Sequence, residues 1–303
     1  MAATLIAVIV ALVLGHLAQS LAASVRHFAW YGNWLRWLDA RFPEGSFWRG
    51  RYGIVLALLP PLVVVGLFQL ALDEPLLGLA GLLFGVVALF YAWGPRDLDL
   101  DVEAIVEARD PIARRDAAAK LWPEGEGVSL DAASLVDAVF SSGLRRWFGV
   151  LFWFLLLGPV GALLYRLAAL SAEGGYARAL PPETAAGARS LLAMLDWPVA
   201  QLMTLSMALV GNFDTVLGAW RDNGGASFQL NSNFLGAAAR ASVKSELADE
   251  AMDYVESGAS TTTDMVATAP ELPELRDAMS LVWRILLLWL AVIALFVIAG
   301  WVA

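Results

Sequence analysis

The stretch that decides the fold is residues 145–170, RRWFGVLFWFLLLGPVGALLYRLAAL. It opens on two adjacent arginines and carries no further charge until Arg166. At 1.5 Å rise per residue, the roughly 20 positions between these charges match the ~30 Å hydrocarbon core of a bilayer. Proline removes a helical hydrogen bond and glycine allows another helix to approach, so Pro159 and Gly161 predict a kink and a close neighbour. The stretch therefore predicts one membrane helix over 147–170, with the paired arginines at one interface and Arg166 at the other.

The composition indicates a polytopic membrane protein. Hydrophobic residues make up 59% of the chain and charged residues 16%, whereas soluble domains have about 45–50% apolar and about 25% charged residues. The net charge of -9 argues against nucleic acid as a partner. The chain has no cysteine and only two histidines, which excludes thiolate and histidine metal centres. We expect neither a metal nor a cofactor.

Further hydrophobic segments accompany this helix along the chain. We predict spans at 3–22, 53–72, 75–93, 147–170, 190–211 and 281–302, with polar segments at 94–146 and 212–280. The count is six if 190–211 crosses the membrane, and five if that segment lies against the bundle as a re-entrant helix. The sequence thus predicts an all-α, polytopic helical membrane protein with five or six spans, forming a single membrane domain over 1–303.

Lysine and arginine in the short loops orient the chain, because these residues are concentrated in cytoplasmic loops. They are abundant after the first span and in 94–146, whereas the Asp73-Glu74 link between the second and third spans has none. We expect the basic segments to be cytoplasmic and the Asp73-Glu74 link to lie outside. The segment 212–280 is also cytoplasmic if 190–211 crosses.

Residues 24–48 combine aromatic and basic side chains at helical spacing. This pattern is typical of a helix in the headgroup region, with its rings towards the acyl chains and its guanidinium groups on phosphates. The residues concerned are Trp30, Tyr31, Trp34, Trp37, Arg26, Arg36 and Arg41.

Candidate ligand-binding residues are mostly arginines. The adjacent pair at 145–146 is a candidate for an anionic headgroup or phosphorylated ligand, with topological anchoring as the favoured alternative. The pair at 114–115 is a candidate for a phosphorylated ligand, with a solvated helix face as the favoured alternative. Asp196 is a candidate for a helix N-cap, or secondarily for a functional salt bridge. The complete candidate set is Arg114, Arg115, Arg145, Arg146, Arg166 and Asp196.

No pattern in the sequence assigns a reaction. The run DLDLDVE at 97–103 offers Asp97, Asp99 and Asp101 as oxygen ligands of the kind that Mg²⁺ and Ca²⁺ bind, with a solvated edge or helix start as the favoured alternative. Neither a phosphate-binding glycine motif nor a hydrolase nucleophile motif occurs. We assign no catalytic residue and no metal ligand.

Two segments resemble known membrane families. Residues 151–170, LFWFLLLGPVGALLYRLAAL, resemble the FW…GPxGAxxYR segment shared by AmpE proteins and the CobD/CbiB enzymes of cobalamin biosynthesis. Residues 191–220 are similar to an LDW…W stretch of AmpE, with Gln201 where that family often has arginine. The polar motifs that flank the FW segment in the cobalamin enzymes are missing here, at 141–150 and 167–176.

The resemblance to AmpE implies a multi-pass protein of the bacterial inner membrane. Its implied role is a signalling modulator or sensor linked to β-lactamase induction and cell-wall stress, without catalysis. The alternative is a divergent CobD/CbiB-type ligase that forms an amide of cobinamide. The expected partners are the lipid bilayer, an anionic lipid or phosphorylated ligand, and an unidentified protein.

Overall fold

The computed structural model describes residues 2–17, 25–72, 78–94, 96–125, 127–256 and 272–299. All regular elements within these ranges are helices, which confirms the all-α class. In chain order they are α1 (Ala2–Leu17), α2 (Ala29–Arg41), α3 (Ile54–Leu72), α4 (Gly78–Ala92), α5 (Leu98–Glu107), α6 (Pro111–Ala118), α7 (Ala132–Gly143), α8 (Gly149–Leu157), α9 (Pro159–Ala172), α10 (Gly174–Arg178), α11 (Pro182–Val210), α12 (Phe213–Asp222), α13 (Asn233–Glu256) and α14 (Pro273–Ile298).

Several of these helices have the length and composition of membrane spans. Within the described ranges, four helical stretches are long and apolar enough to cross a bilayer, namely Arg51–Leu72, Ala132–Leu157, Pro182–Val210 and Pro273–Ile298. Shorter apolar helices occupy Leu5–Gly15, Gly78–Ala92 and Pro159–Ala172. The chain is therefore a polytopic helical membrane protein, as predicted.

Some predicted boundaries change. The helix that contains 190–211 begins at Pro182, and the helix predicted at 147–170 is continuous with α7, through a π-helical turn at Leu144–Phe148. The Asp73-Glu74 link and the segment 257–271 lie outside the described residues. The membrane crossing of 190–211 stays a prediction.

The stretch 147–170 is not one kinked helix but two antiparallel ones. The chain reverses at Gly158, whose φ of 66° suits glycine because it has no Cβ. A Cβ placed on Gly149 would overlap the ring of Tyr165. In a continuous helix these residues would lie roughly 24 Å apart. The hairpin of α8 and α9 therefore brings the charged ends of the stretch to the same side, which corrects the prediction that they lie at opposite interfaces.

Gln69 near the end of α3 stabilises the tip of this hairpin. Its Nε2 donates to the carbonyl oxygen of Leu157 at 3.2 Å, and its Oε1 accepts from the backbone N–H of Val160 at 3.1 Å. Helix ends leave such backbone groups without intrahelical partners, and lipid offers none. One amide side chain thus satisfies both sides of the helix break.

The hairpin occupies the centre of the bundle. It packs against α3, α4 and α11, and aromatic pairs join its base to α14. Trp147 lies 5.2 Å from Trp283 and Phe148 lies 5.1 Å from Trp289, both edge to face between ring centroids. This position explains why the base of the hairpin is buried, whereas Leu156 and Leu157 near its tip are exposed.

Helix α2 confirms the helix predicted within 24–48. It buries Tyr31, Leu35 and Leu38 against the protein, while Trp30 and Trp37 remain exposed. Its location in the headgroup region stays a prediction.

Candidate functional site

Two consecutive arginines at the base of the hairpin point to different partners. Arg145 and Arg146 lie in the π-helical turn that connects α7 to α8. Arg145 Nη1 is 2.6 Å from Oε1 of Glu173, the residue that connects α9 to α10. Arg146 Nη1 is 2.7 Å from Asp101 Oδ2. The wider turn thus separates two cationic side chains that are adjacent in sequence.

Asp101 forms the centre of a buried ion group. Its side chain is fully buried and also accepts from Arg96 Nε at 3.0 Å, in addition to Arg146. Arg146 Nη2 further donates to the carbonyl oxygen of Lys120. One carboxylate is thus shared by two guanidinium groups, so the group carries a surplus positive charge.

The acidic run at 97–103 is the start of α5. Asp97 caps that helix by accepting from the N–H of Asp99 at 3.2 Å, and Asp99 accepts from Trp283 Nε1 at 3.3 Å. Within the described part of the chain, no group of three or more His, Cys, Asp and Glu side chains could hold a metal ion. Asp97 and Asp99 therefore belong to a helix start, which the sequence favours over a metal site. Asp101 instead forms ion pairs.

Arg166 is buried in the protein, with 4% exposure, and lies at the same end of the hairpin as Arg145 and not at the opposite end of a single span. Its Nε donates to the carbonyl oxygen of Ala92 at 2.6 Å. Arg26 contacts the same helix end, where it donates to Phe90 O at 3.0 Å and Gly94 O at 2.9 Å. Both guanidinium groups satisfy carbonyls at the negative end of α4.

Each of these two arginines has a buried Nη2 without a hydrogen-bond partner among the described residues. Burial lowers the pKa of Arg26 to about 10, which leaves it charged at neutral pH. Arg166 Nη2 is buried and has no hydrogen-bond partner among the described residues. An unpaired guanidinium N–H inside a protein costs free energy unless a ligand or water accepts from it.

Asp196 lies in the interior of α11 and not at its N-terminus. The helix begins at Pro182, so the prediction that Asp196 caps a helix is wrong; the Pro181-Pro182 pair starts it earlier and Pro198 lies inside it. Asp196 is buried, accepts from the hydroxyl of Tyr165 at 2.6 Å, and lies 3.9 Å from Arg145 Nε. Asp196 thus forms an ion pair with Arg145, and a functional role for that salt bridge stays a prediction.

Two adjoining cavities flank the Arg145–Glu173 ion pair in the described part of the protein. The first, here named the cationic cavity, has a volume of about 600 Å³; its polar lining comprises Lys120, Glu124, Ser134, Asp137, Ser141, Ser142, Arg145, Arg146, Arg166, Glu173 and Tyr176. The second, named the Asp196 cavity, is also about 600 Å³; its polar lining comprises Glu124, Arg145, Glu173, Arg178, Arg189, Asp196, Asn231 and Ser232.

The structure thus brings four of the six predicted residues together and leaves two apart. Arg145, Arg146, Arg166 and Asp196 all line these cavities. Arg114 and Arg115 lie on α6 and line neither cavity. Arg114 Nε and Nη2 instead donate to the carbonyl oxygen of Ala108, at 3.1 and 2.7 Å. Ligand binding by any of the six stays a prediction.

The sequence did not link three further polar residues to the site. Asp101 is the third aspartate of the acidic run and is considered there only as a metal ligand. Glu173 is the first charge after α9, and Lys120 follows the helix of the 114–115 pair. The signal for Asp101 was its helical position opposite the exposed acids. No sequence signal links Lys120 to the hairpin, because that contact is made by its backbone carbonyl.

Comparison with known proteins finds relatives in cobalamin biosynthesis. The chain is 28% identical over 270 residues to the cobalamin biosynthesis protein CobD of Stutzerimonas stutzeri, covering 85% of this chain and 84% of that protein. It is 31% identical over 184 residues to CobD of Chromobacterium violaceum, covering 57% and 56%. No family model and no solved structure matches. Neither relative is an AmpE protein, so the AmpE assignment stays a prediction. The similarity favours the alternative reading, a divergent CobD/CbiB-type ligase, over the signalling modulator.

Proposed function

We propose that this protein acts in cobalamin biosynthesis at the bacterial inner membrane and holds an anionic substrate in the cationic cavity. The observation that carries the proposal is the unpartnered Nη2 of the buried Arg166 on the cavity wall. The similarity to CobD over most of both chains supports the biosynthetic role.

The charge of the cavity wall favours an anion. Lys120, Arg145, Arg146 and Arg166 contribute positive charge to the wall. The three carboxylates of the wall, Glu124, Asp137 and Glu173, each form an ion pair with an arginine. A phosphate or carboxylate oxygen would accept from Arg166 Nη2 in a charge-assisted hydrogen bond, which is stronger than a neutral one. Binding would therefore remove the cost of an unpaired buried donor.

The hairpin gives this cavity a second link to the cobalamin enzymes. Their two polar motifs correspond to residues 141–150 and 167–176 of this chain, which are far apart in sequence. Both segments contribute to the wall of the cationic cavity, through Ser141 and Arg146 from the first and Glu173 and Tyr176 from the second. This convergence supports the cavity as the functional centre of the scaffold.

A binding experiment tests the anion site. Purified protein in detergent would be titrated calorimetrically with an amino-alcohol phosphate and with inorganic phosphate. We expect Arg166→Gln to weaken binding at least about tenfold, which corresponds to ~1.4 kcal/mol. Arg115→Gln removes an exposed arginine outside the cavity and serves as the matched control. Equal affinity of wild type and Arg166→Gln would contradict the anion site.

Since Arg166 also binds the end of α4, a second variant separates binding from folding. Lys120→Gln removes a cavity charge while keeping the backbone carbonyl that Arg146 uses. We expect weaker binding with an unchanged thermal midpoint. Unaltered binding in this variant and in Arg166→Gln would contradict the proposal.

The biosynthetic role has its own test. The gene, supplied to a bacterial strain that lacks its CobD, is expected to restore cobalamin-dependent growth, and purified protein is expected to join a corrinoid carboxylate to an amino-alcohol phosphate with ATP. Absence of both, with normal membrane insertion, would contradict the biosynthetic role.

A second candidate is a binding protein without catalysis that modulates signalling. The loss of the polar motifs at 141–150 and 167–176 favours it, because ligation needs polar groups to activate a carboxylate and position an amine. Its test is the charge reversal Arg114→Glu with Arg115→Glu. Altered β-lactamase induction with normal folding and without ligase turnover would support this candidate.

A further inference from the structure

The segment that follows α11 exposes large apolar side chains where the sequence predicts a polar region. Phe228 is 91% exposed, and Phe213 and Leu230 are each at least half exposed. All three lie within residues 213–230, which comprise α12 and the turn after it. Exposed aromatic and aliphatic groups gathered in one segment indicate a surface that contacts something other than water.

This apolar surface continues one that already faces outward on α11. Met194, Leu202, Leu205 and Leu209 are exposed and recur on one side of that helix, which is among the helices apolar enough to span a membrane. The ring of Phe228 stacks on Trp197 of the same helix, with 6.0 Å between centroids. The exposed side of α11 and the turn therefore form one continuous apolar surface.

We propose that residues 213–230 form a membrane-anchored segment, in which Phe213, Phe228 and Leu230 insert into the acyl-chain side of the lipid interface. The occupant is lipid because the surface is continuous with the outward side of α11, a helix that is long and apolar enough to span a bilayer. Exposed polar residues end α12 at Arg221 and Asp222 and follow it at Asn223, and these suit the headgroup layer. Interfacial segments of this type bury their apolar side by roughly 5–10 Å.

The anchor adjoins the Asp196 cavity. Asn231 and Ser232, directly after Leu230, line that cavity together with Asp196 and Arg145. Insertion of Phe228 would therefore fix one wall of the cavity relative to the membrane surface. This inference does not depend on the identity of the substrate.

Site-directed spin labelling tests the anchor, and the natural chain is suitable because it contains no cysteine. Single cysteines at Phe228→Cys and Leu230→Cys would be labelled after reconstitution into vesicles of phosphatidylethanolamine and phosphatidylglycerol. Collision rates with oxygen, which partitions into lipid, and with a water-soluble nickel chelate would be measured. Asp222→Cys, an exposed residue of the same segment, is the matched control.

We expect labels at 228 and 230 to show an oxygen-to-nickel collision ratio several-fold higher than the label at 222. A ratio at 228 equal to that at 222 would overturn the proposal, because the segment would then be in water. Protection of 228 from both reagents would also overturn it, because protein would then cover the surface. All three positions are exposed, so the substitutions are expected to leave folding intact.

Discussion

The hydroxyl of Tyr165 lies 2.6 Å from Oδ1 of Asp196 and joins the returning helix of the hairpin to the interior of α11. Both side chains are buried. The bond exists only because the chain reverses at Gly158, which places Tyr165 beside the base of α8. The same reversal places Arg145 3.9 Å from the other oxygen of Asp196. One helix break thus creates the contacts that define the site.

Tyr165→Phe is expected to lower the free energy of unfolding by ~1–3 kcal/mol, because a buried carboxylate oxygen loses its donor while the ring keeps its packing. The measurement is the thermal midpoint in detergent. Tyr52→Phe, at an exposed tyrosine, is the control and is expected to change nothing.

A double-mutant cycle with Asp196→Asn checks that assignment. The two substitutions are expected to be non-additive, since each removes one side of the same hydrogen bond. Additive losses would mean that Tyr165 acts through packing alone.

Gly161→Ala is expected to destabilise the protein by about 1–3 kcal/mol, because the added methyl group would overlap the backbone carbonyl of Trp153 across the hairpin. Gly218→Ala, in α12, is the matched control, since nothing lies within 4 Å of its added Cβ. There the substitution is expected to be neutral or slightly stabilising, because alanine favours a helix by roughly 0.5–1 kcal/mol over glycine. Equal thermal midpoints for Gly161→Ala and wild type would contradict the close approach of α8 and α9.

The sequence predicted a helix break at Gly158-Pro159, but not that the chain reverses its direction there. Gly158 and Pro159 interrupt a helix in either case, and hydrophobic periodicity is the same for a kink and a reversal. What decides between them is tertiary: the side chain of Gln69, on a different helix, satisfies Leu157 O and Val160 N at the tip. Such long-range contacts leave no local pattern in the sequence.

The site was predictable by residue type and not by arrangement. Arg145, Arg146 and Arg166 stood out because charges are costly within apolar segments. These three arginines come together only because the chain forms a hairpin. The single span predicted over 147–170 would place Arg166 across the bilayer from Arg145 and Arg146. Asp196 lies close to Pro198 in the sequence, which predicts a helix start, whereas its partner in the structure, Tyr165, lies on a different helix.

Asp101→Ala is expected to cost roughly 3–5 kcal/mol, because it leaves the largely buried guanidinium of Arg146 without its carboxylate. Arg96→Ala removes the other partner of Asp101 and is expected to cost less, because the side chain of Arg96 is 56% exposed and water screens its charge. Thermal midpoints of the two variants give the comparison. Equal losses would mean that Arg146 is compensated by another group.

The last prediction concerns the side of the membrane on which α9 ends. The hairpin places the loop after α9 beside Arg145, through the 2.6 Å ion pair with Glu173, whereas a single span over 147–170 would place that loop across the bilayer. Ser141→Cys, before the hairpin, and Ala179→Cys, after it, are both at exposed positions. We expect a membrane-impermeant maleimide to label both from the cytoplasmic side of inverted vesicles and neither from the outside of intact cells. Arg36→Cys, in the loop predicted to be cytoplasmic, serves as the reference for that side. Labelling of position 179 from the outside and of position 141 from the inside would contradict the hairpin, because residues 147–170 would then cross the bilayer once. In that case the charged ends of residues 145–170 would not share one site.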